Sequence, residues 1–188
     1  MEGYMKNLRK EDIRKKLTEK RSKLSCDFIS ENSKLISEKL FDMQLYNESD
    51  NIYIYMNFGG EVSTKEIISD ALSKGKKVAI PKIINNEMNF YYIKDIEDVE
   101  IGHFGVMEPI TNEIAKDDKA LVIMPGVAFD SEKNRIGHGK GFYDKYLDKN
   151  KSFDKIALAY DFQVMEKVPF ENADVRPDII ITEKNLVR

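Results

Sequence analysis

Between Ala120 and Leu147 the chain reads as an apolar strand, a glycine-punctuated loop and a helix in direct succession. No other stretch restricts the possible folds as much. Ala120 to Met124 is an aliphatic run that ends at Pro125-Gly126. A polar turn follows, then Gly137, Gly139 and Gly141 at alternate positions, and Phe142 to Leu147 starts a helix. Glycines let backbone approach a ligand closely and bare its amides, and a helix N-terminus adds partial positive charge. Arg135 and Lys140 bracket the first two glycines, so the segment has the parts of a polyphosphate cradle. Its spacing is Gly-x-Gly-x-Gly. That is neither the dinucleotide Gly-x-Gly-x-x-Gly nor a P-loop with its Gly-Lys-Ser/Thr. A glycine hairpin leading into a surface helix is the alternative, and a nucleotide is the first ligand to test.

The remaining pattern is of the same kind. Residues 6 to 24 predict a basic helix, with nine Lys/Arg against four Asp/Glu in residues 1 to 23. Asp27 to Met43 carries Phe28, Ile29, Leu35, Ile36, Leu40 and Met43 at roughly helical spacing. Asn51 to Met56 is a β-branched and aromatic strand closed by Gly59-Gly60. Ser63 with Glu66 has the capping-box spacing, and Gly75 suits the end of that helix. Strands are expected at Lys77–Ile83 and, after the Asn85-Asn86 turn, at Met88–Ile93. Residues 94 to 119 read as acidic and irregular, with a turn at 104 to 109. A helix at 141 to 149 and strands at Lys155–Tyr160 and Asp178–Thr182 complete the series. Strands alternating with helices predict an α/β domain on a mainly parallel sheet, one domain over residues 1–188.

Charge narrows the function. Charged residues are 34% of the chain, yet the net charge is only −3, so no overall field favours nucleic acid or an anionic membrane. The lone Cys26 leaves no internal disulfide and suits a reducing compartment. No apolar run approaches the roughly 20 residues that a membrane span needs, and the first residues lack a signal-peptide core. A cytoplasmic protein that acts as a monomer on small molecules is expected, with no nucleic-acid or membrane partner.

The segment PGVAFDSEKNRIGHGKGFYDKYL resembles the signature of the 5-formyltetrahydrofolate cyclo-ligase (methenyltetrahydrofolate synthetase) family. KNLRK near the start, GGEVST at 59 to 64, IPK at 80 to 82 and FGVMEP at 104 to 109 are similar to further family segments in the same order. So are the Gln163 region, VPFENAD at 168 to 174 and DIIITE at 178 to 183. Phe142 departs from the family, where a tyrosine often precedes the Tyr-Asp pair, and His138 stands at a variable position. The resemblance implies a Rossmann-like three-layer α/β/α domain, similar to ribose-phosphate isomerase and CoA transferases. It implies magnesium- and ATP-dependent cyclisation of 5-formyltetrahydrofolate to 5,10-methenyltetrahydrofolate, with release of ADP and phosphate.

Carried onto this chain, the resemblance implies that Arg135, Ile136, Gly137, His138, Gly139, Lys140, Gly141, Phe142 and Tyr143 bind ATP. Lys6, Arg9 and Lys10 would bring further cations from the first helix, although a solvated helix face is the ordinary reading of such a charge run. Lys140 and Arg135 would carry the catalytic charge, because phosphoryl transfer needs positioning and charge stabilisation above all. Met56 and Glu61 would receive the folate, with core packing the simpler account of Met56. Asp144 and Asp174 would contact magnesium, which favours a few carboxylates together with phosphate oxygens and water. His103 and His138 are too few for a metal cluster. Two other readings remain at this stage: a binding protein for nucleotide or RNA, and a sugar-phosphate isomerase of related fold.

Overall fold

The computed structural model describes residues 9–102 and 105–188. Lys6 and His103 therefore lie outside the described residues, as does the start of the helix expected from residue 6. The chain opens with α1 (Lys10–Ser22), α2 (Cys26–Phe41) and α3 (Gln44–Glu48), then β1 (Asn51–Ile54), α4 (Lys65–Ser73), β2 (Lys77–Ile84) and β3 (Glu87–Ile93). It continues through β4 (Val99–Ile101), β5 (Met107–Pro109), β6 (Leu121–Met124), β7 (Ala128–Asp130), β8 (Arg135–Ile136) and α5 (Phe142–Lys149). It ends with β9 (Asp154–Leu158), β10 (Val164–Met165), β11 (Ile179–Ile181) and β12 (Leu186–Val187).

Seven strands form the main sheet in the order β12-β11-β9-β6-β1-β2-β3. The five central strands run parallel, and each edge strand is antiparallel. Parallel strands are covered on both faces, which is why Leu121–Met124 is aliphatic throughout and fully buried. Side chains alternate between the two faces. Ile52, Ile54, Leu121 and Ile123 pack with Ile36, Leu40, Ile67 and Ile68 of α2 and α4. Tyr53, Val122 and Met124 pack on the other face with Leu147 of α5, Phe129 and Phe153. α1 closes a third cluster, in which Ile13 and Leu17 meet Val127, Ala128 and Ile136.

Local chemistry explains the boundaries. Asn85 and Asn86 both adopt positive φ, 50° and 62°, which gives the two-residue loop that matches the twist of a β2–β3 hairpin. The expected Ser63–Glu66 capping box does not form. Thr64 is the N-cap and makes no side-chain cap bond, because its hydroxyl donates instead to the Tyr55 carbonyl at 2.8 Å. The tertiary bond keeps the turn against β1. Within 94 to 119, expected to be irregular, β4 and β5 pair as a short antiparallel hairpin.

Candidate active site

β1 and β6 are neighbours at the middle of the sheet, and the segments beyond their C-terminal ends face one cavity of about 990 Å³. Ligands of open α/β sheets occupy this place, and the volume is at the upper end for a small-molecule site. The wall combines Met56 and Glu61 after β1, Pro125 after β6, the glycine loop with the start of α5, and Arg9, Lys10 and Arg14 from α1.

Buried polar residues that have no contact with the cavity hold the glycine loop. Asp130 accepts hydrogen bonds from the backbone amides of Glu132, Asn134 and Val168 and from Asn134 Nδ2. These bonds turn β7 into β8, the polar turn of the sequence. Gln163 Nε2 donates to the carbonyls of Gly126 and Val127, both at 2.9 Å, and so ties down the other side of the loop. Gly139 and Gly141 adopt φ of 100° and 66°, which a residue with a Cβ takes only under strain. Gly141 is the N-cap of α5, so the free amides of the first helical turn border the cavity.

The cations of the loop have different surroundings. Arg135 has a side chain only 3% exposed. Its NH2 donates to Asp144 Oδ1 at 2.6 Å, its NH1 to the Pro125 carbonyl and its Nε to the Val175 carbonyl, both at 3.3 Å. Lys140 is exposed and makes no ion pair among the described residues. Arg14 Nε donates to the Gly137 carbonyl at 2.8 Å, which joins α1 to the loop. Lys10 bridges Asp174 at 2.6 Å and Glu171 at 2.9 Å. Burial lowers its pKa, but the two carboxylates more than offset this and raise it overall. Arg9 is exposed at the rim. Tyr143 also lines the cavity, and its buried hydroxyl has no hydrogen-bond partner.

Asp144 and Asp174, the two expected magnesium contacts, each hold a cation through one oxygen. Asp144 Oδ1 also accepts from the Val175 amide at 2.9 Å, and Asp174 Oδ2 from the Glu171 amide at 2.7 Å. Their other oxygens make no hydrogen bond among the described residues. No group of three or more metal-ligating side chains occurs among the described residues. Two carboxylates with one uncommitted oxygen each fit an ion that takes most of its ligands from phosphate and water.

Glu61 is 7% exposed. Its Oε1 contacts Arg21 NH1 at 3.5 Å and His138 Nε2 at 2.8 Å, and its Oε2 accepts from the Phe58 amide at 3.0 Å. Burial pushes the Glu61 carboxyl above the usual carboxylate range, with Arg21 and the Phe58 amide acting against it. Burial also pushes the His138 imidazole down to about 4, reinforced by the guanidiniums of Arg21, Arg135 and Arg14. Because its side chain is still 44% exposed, the three guanidiniums are the firmer cause. At neutral pH His138 is therefore an uncharged Nε2–H donor to Glu61. Arg21, absent from the expected site, sits on the buried face of α1 with Ile13 and Leu17 at four-residue spacing. An arginine that continues an apolar stripe was the available signal.

A depressed histidine pKa has a definite sign. The unfolded chain binds a proton at the ordinary value of 6.5 that the native state refuses until about 4. The stability from neutral His138 is complete above 6.5 and is lost as pH falls toward 4. Urea midpoints measured across this window should fall with pH, and His138→Gln should flatten part of the fall. Equal slopes in both proteins would show that His138 titrates normally.

The sequence profile of the 5-formyltetrahydrofolate cyclo-ligase family matches residues 6–183. This chain belongs to that family. A Schizosaccharomyces pombe protein named "Probable 5-formyltetrahydrofolate cyclo-ligase" is 30% identical over 97% of this chain and 98% of its own length. The Haemophilus influenzae 5-formyltetrahydrofolate cyclo-ligase is 28% identical over 91% of this chain and 96% of its own. The NMR structure of Aquifex aeolicus 5,10-methenyltetrahydrofolate synthetase superposes with a TM-score of 0.85 at 34% identity, covering 95% of this chain and 92% of that one. The family's two names give the substrate and the product of one cyclisation. Members of this family are ligases of folate one-carbon metabolism. Among the described residues, no helix is long and apolar enough to cross a membrane.

Proposed function

We propose that this cavity takes ATP and 5-formyltetrahydrofolate together and produces 5,10-methenyltetrahydrofolate, ADP and phosphate. The observation that carries this reading is the meeting of a glycine loop at a helix N-terminus with a buried carboxylate and an apolar wall in one cavity. An amide oxygen is a weak nucleophile, so it must be held in line with the terminal phosphorus of ATP. The formyl oxygen attacks that phosphorus, the bond to the bridging oxygen breaks, and ADP departs. N10 then attacks the activated carbon, its proton leaves, the carbon–oxygen bond breaks, and phosphate is released as the ring closes.

In this reading Lys140 and the amides from Gly139 to Tyr143 receive the phosphates. Arg135, engaged by Asp144, adds positive potential from beneath the loop and fixes the carboxylate. Arg9, and Lys6 beyond the described residues, add charge from the N-terminal side. Lys10 anchors Asp174 across the cavity. Asp144 and Asp174 would hold magnesium, which neutralises phosphate charge when bound. Glu61 and Met56 border the folate. The whole chain, 1–188, acts as one domain and as a cytoplasmic monomer. The RNA-binding alternative loses Arg14 and Arg21 of α1, which turn inward onto the loop and Glu61, while Lys15, Lys16 and Lys20 stay exposed; an acidic pocket behind them favours the enzyme.

The test is the near-ultraviolet absorbance of the methenyl product. It should rise only when ATP, magnesium and 5-formyltetrahydrofolate are all present. A flat trace from folded protein would overturn the reading.

A further inference from the structure

Asp130 ends β7 and is 1% exposed, behind the cavity rather than in its wall. In the run AFDSEKN it opens a turn, where an aspartate takes up the amides that follow it. Its Oδ1 accepts from the Glu132 and Asn134 amides at 3.0 and 2.9 Å. Its Oδ2 accepts from Asn134 Nδ2 at 2.9 Å and from the Val168 amide at 3.0 Å. Three of these bonds serve the turn. The fourth reaches 38 residues along the chain to a different segment.

That segment is an arm that carries Asp174. Val168 is fully buried, residues 169 to 173 are exposed, and the chain is partly covered again at Asp174 and Val175. The far end of the arm is held from the other side of the glycine loop. The Val175 amide donates to Asp144 Oδ1 at 2.9 Å, and the Val175 carbonyl accepts from Arg135 Nε at 3.3 Å. Two aspartates, one on each side of the glycine loop, thus take the amides at the two ends of one exposed arm. Exposed backbone has little packing to fix it. The place of Asp174 relative to Asp144 and the loop therefore depends on these two anchors. Asp144 lines the cavity itself; Asp130 acts only through Val168 and the turn.

We infer that Asp130 is a positioning residue for the nucleotide: it fixes the arm so that Asp174 and the glycine loop engage one magnesium nucleotide together. The inference rests on the cyclo-ligase reading and adds to it a residue behind the cavity. Asp130→Asn turns one acceptor into a donor that faces amides. Its affinity for ADP with magnesium, measured by titration calorimetry, should fall by about 10- to 100-fold, the range for losing a group that orients a metal's ligands. The fall in kcat should be of similar size. Affinity for 5-formyltetrahydrofolate without nucleotide should not change, and this split separates positioning from a general loss of structure. The measurements are made well below the variant's melting temperature, because losing buried hydrogen bonds also lowers stability. Val168→Pro deletes only the amide at the start of the arm, and Pro169 already confines that residue to extended backbone, which proline adopts. It should give the same split, which keeps the test open if Asp130→Asn fails to fold. Unchanged ADP affinity in either folded variant would overturn the inference. So would equal losses of ADP and folate affinity, which would make Asp130 a structural residue. A wild-type protein that binds ADP without turning over the folate would overturn the cyclo-ligase reading, and a loss of ADP affinity in Asp130→Asn would then still support the role of Asp130.

Discussion

Lys140→Ala is expected to lower kcat/KM for ATP by about 100- to 1,000-fold, the cost of removing one donor aimed at developing charge, and to leave the melting temperature unchanged. Lys140 lies between Gly139 and Gly141 at the cavity wall, is exposed, and makes no ion pair among the described residues. Its loss breaks no interaction of the fold seen among them. It does remove an exposed cation from the loop whose amides and helix terminus already favour phosphate. Steady-state kinetics with ATP varied at saturating folate would show the loss, and circular dichroism melting would show the intact fold. A variant that keeps its ATP kinetics would take Lys140 out of the site. Equal loss of folding would make the loop lysine structural.

Arg135→Ala should do the opposite and unfold the protein more easily, with loss of about 3–5 kcal/mol of stability, the usual cost of leaving one member of a buried ion pair alone. For a chain of this size that corresponds to a fall of roughly 6–20 °C in melting temperature. The guanidinium has a separate partner for each nitrogen: Asp144, the Pro125 carbonyl and the Val175 carbonyl. Lysine could not reproduce the three directions, so Arg135→Lys should recover little of the loss. The double variant Arg135→Ala with Asp144→Asn should be less destabilised than the two single losses added together, because the orphaned carboxylate is then neutral. Full additivity in urea unfolding would show that the pair is not coupled. The same substitution should also weaken ATP use, since Asp144 and the start of α5 would lose their anchor.

The contrast between these two residues marks the limit of reading roles from one sequence. Arg135 and Lys140 look alike there: two cations beside the same glycines. Burial separates them, and burial depends on what lies across the loop. Val175, forty residues further on, supplies one of the carbonyls that hold Arg135. Asp144 was legible as an acid just past the loop and Asp174 through the family resemblance, but their engagement with Arg135 and Lys10 was not, because Lys10 and Asp174 lie 164 residues apart and the Arg135–Asp144 pair depends on how the glycine loop folds back. Glu108 sat within a segment read as a turn. Only its pairing in β5 carries it to the cavity wall.

The elements themselves were largely legible. Period and composition identified α2, β1, α4, β2, β3, β6, α5, β9 and β11, and their alternation implied a mainly parallel sheet, as found. β7, β8, β10 and β12 were not identified. Each has only two or three residues, too few to carry a period, and each exists through its pairing partner. The Asn85-Asn86 turn succeeded because its geometry is local. The Ser63–Glu66 box failed because Thr64 found a partner in β1.

By itself the sequence determined what acts over a few neighbouring residues: the α/β alternation, the glycine loop that needs positive φ, and a family-like run of motifs in order along the chain. The tertiary structure decided the rest. It brought α1 over the loop, turned Arg21 toward Glu61, held His138 neutral beside three guanidiniums and gave Glu108 a cavity to face. Those outcomes depend on desolvation and on charges brought close by packing, and neither exists until distant segments meet.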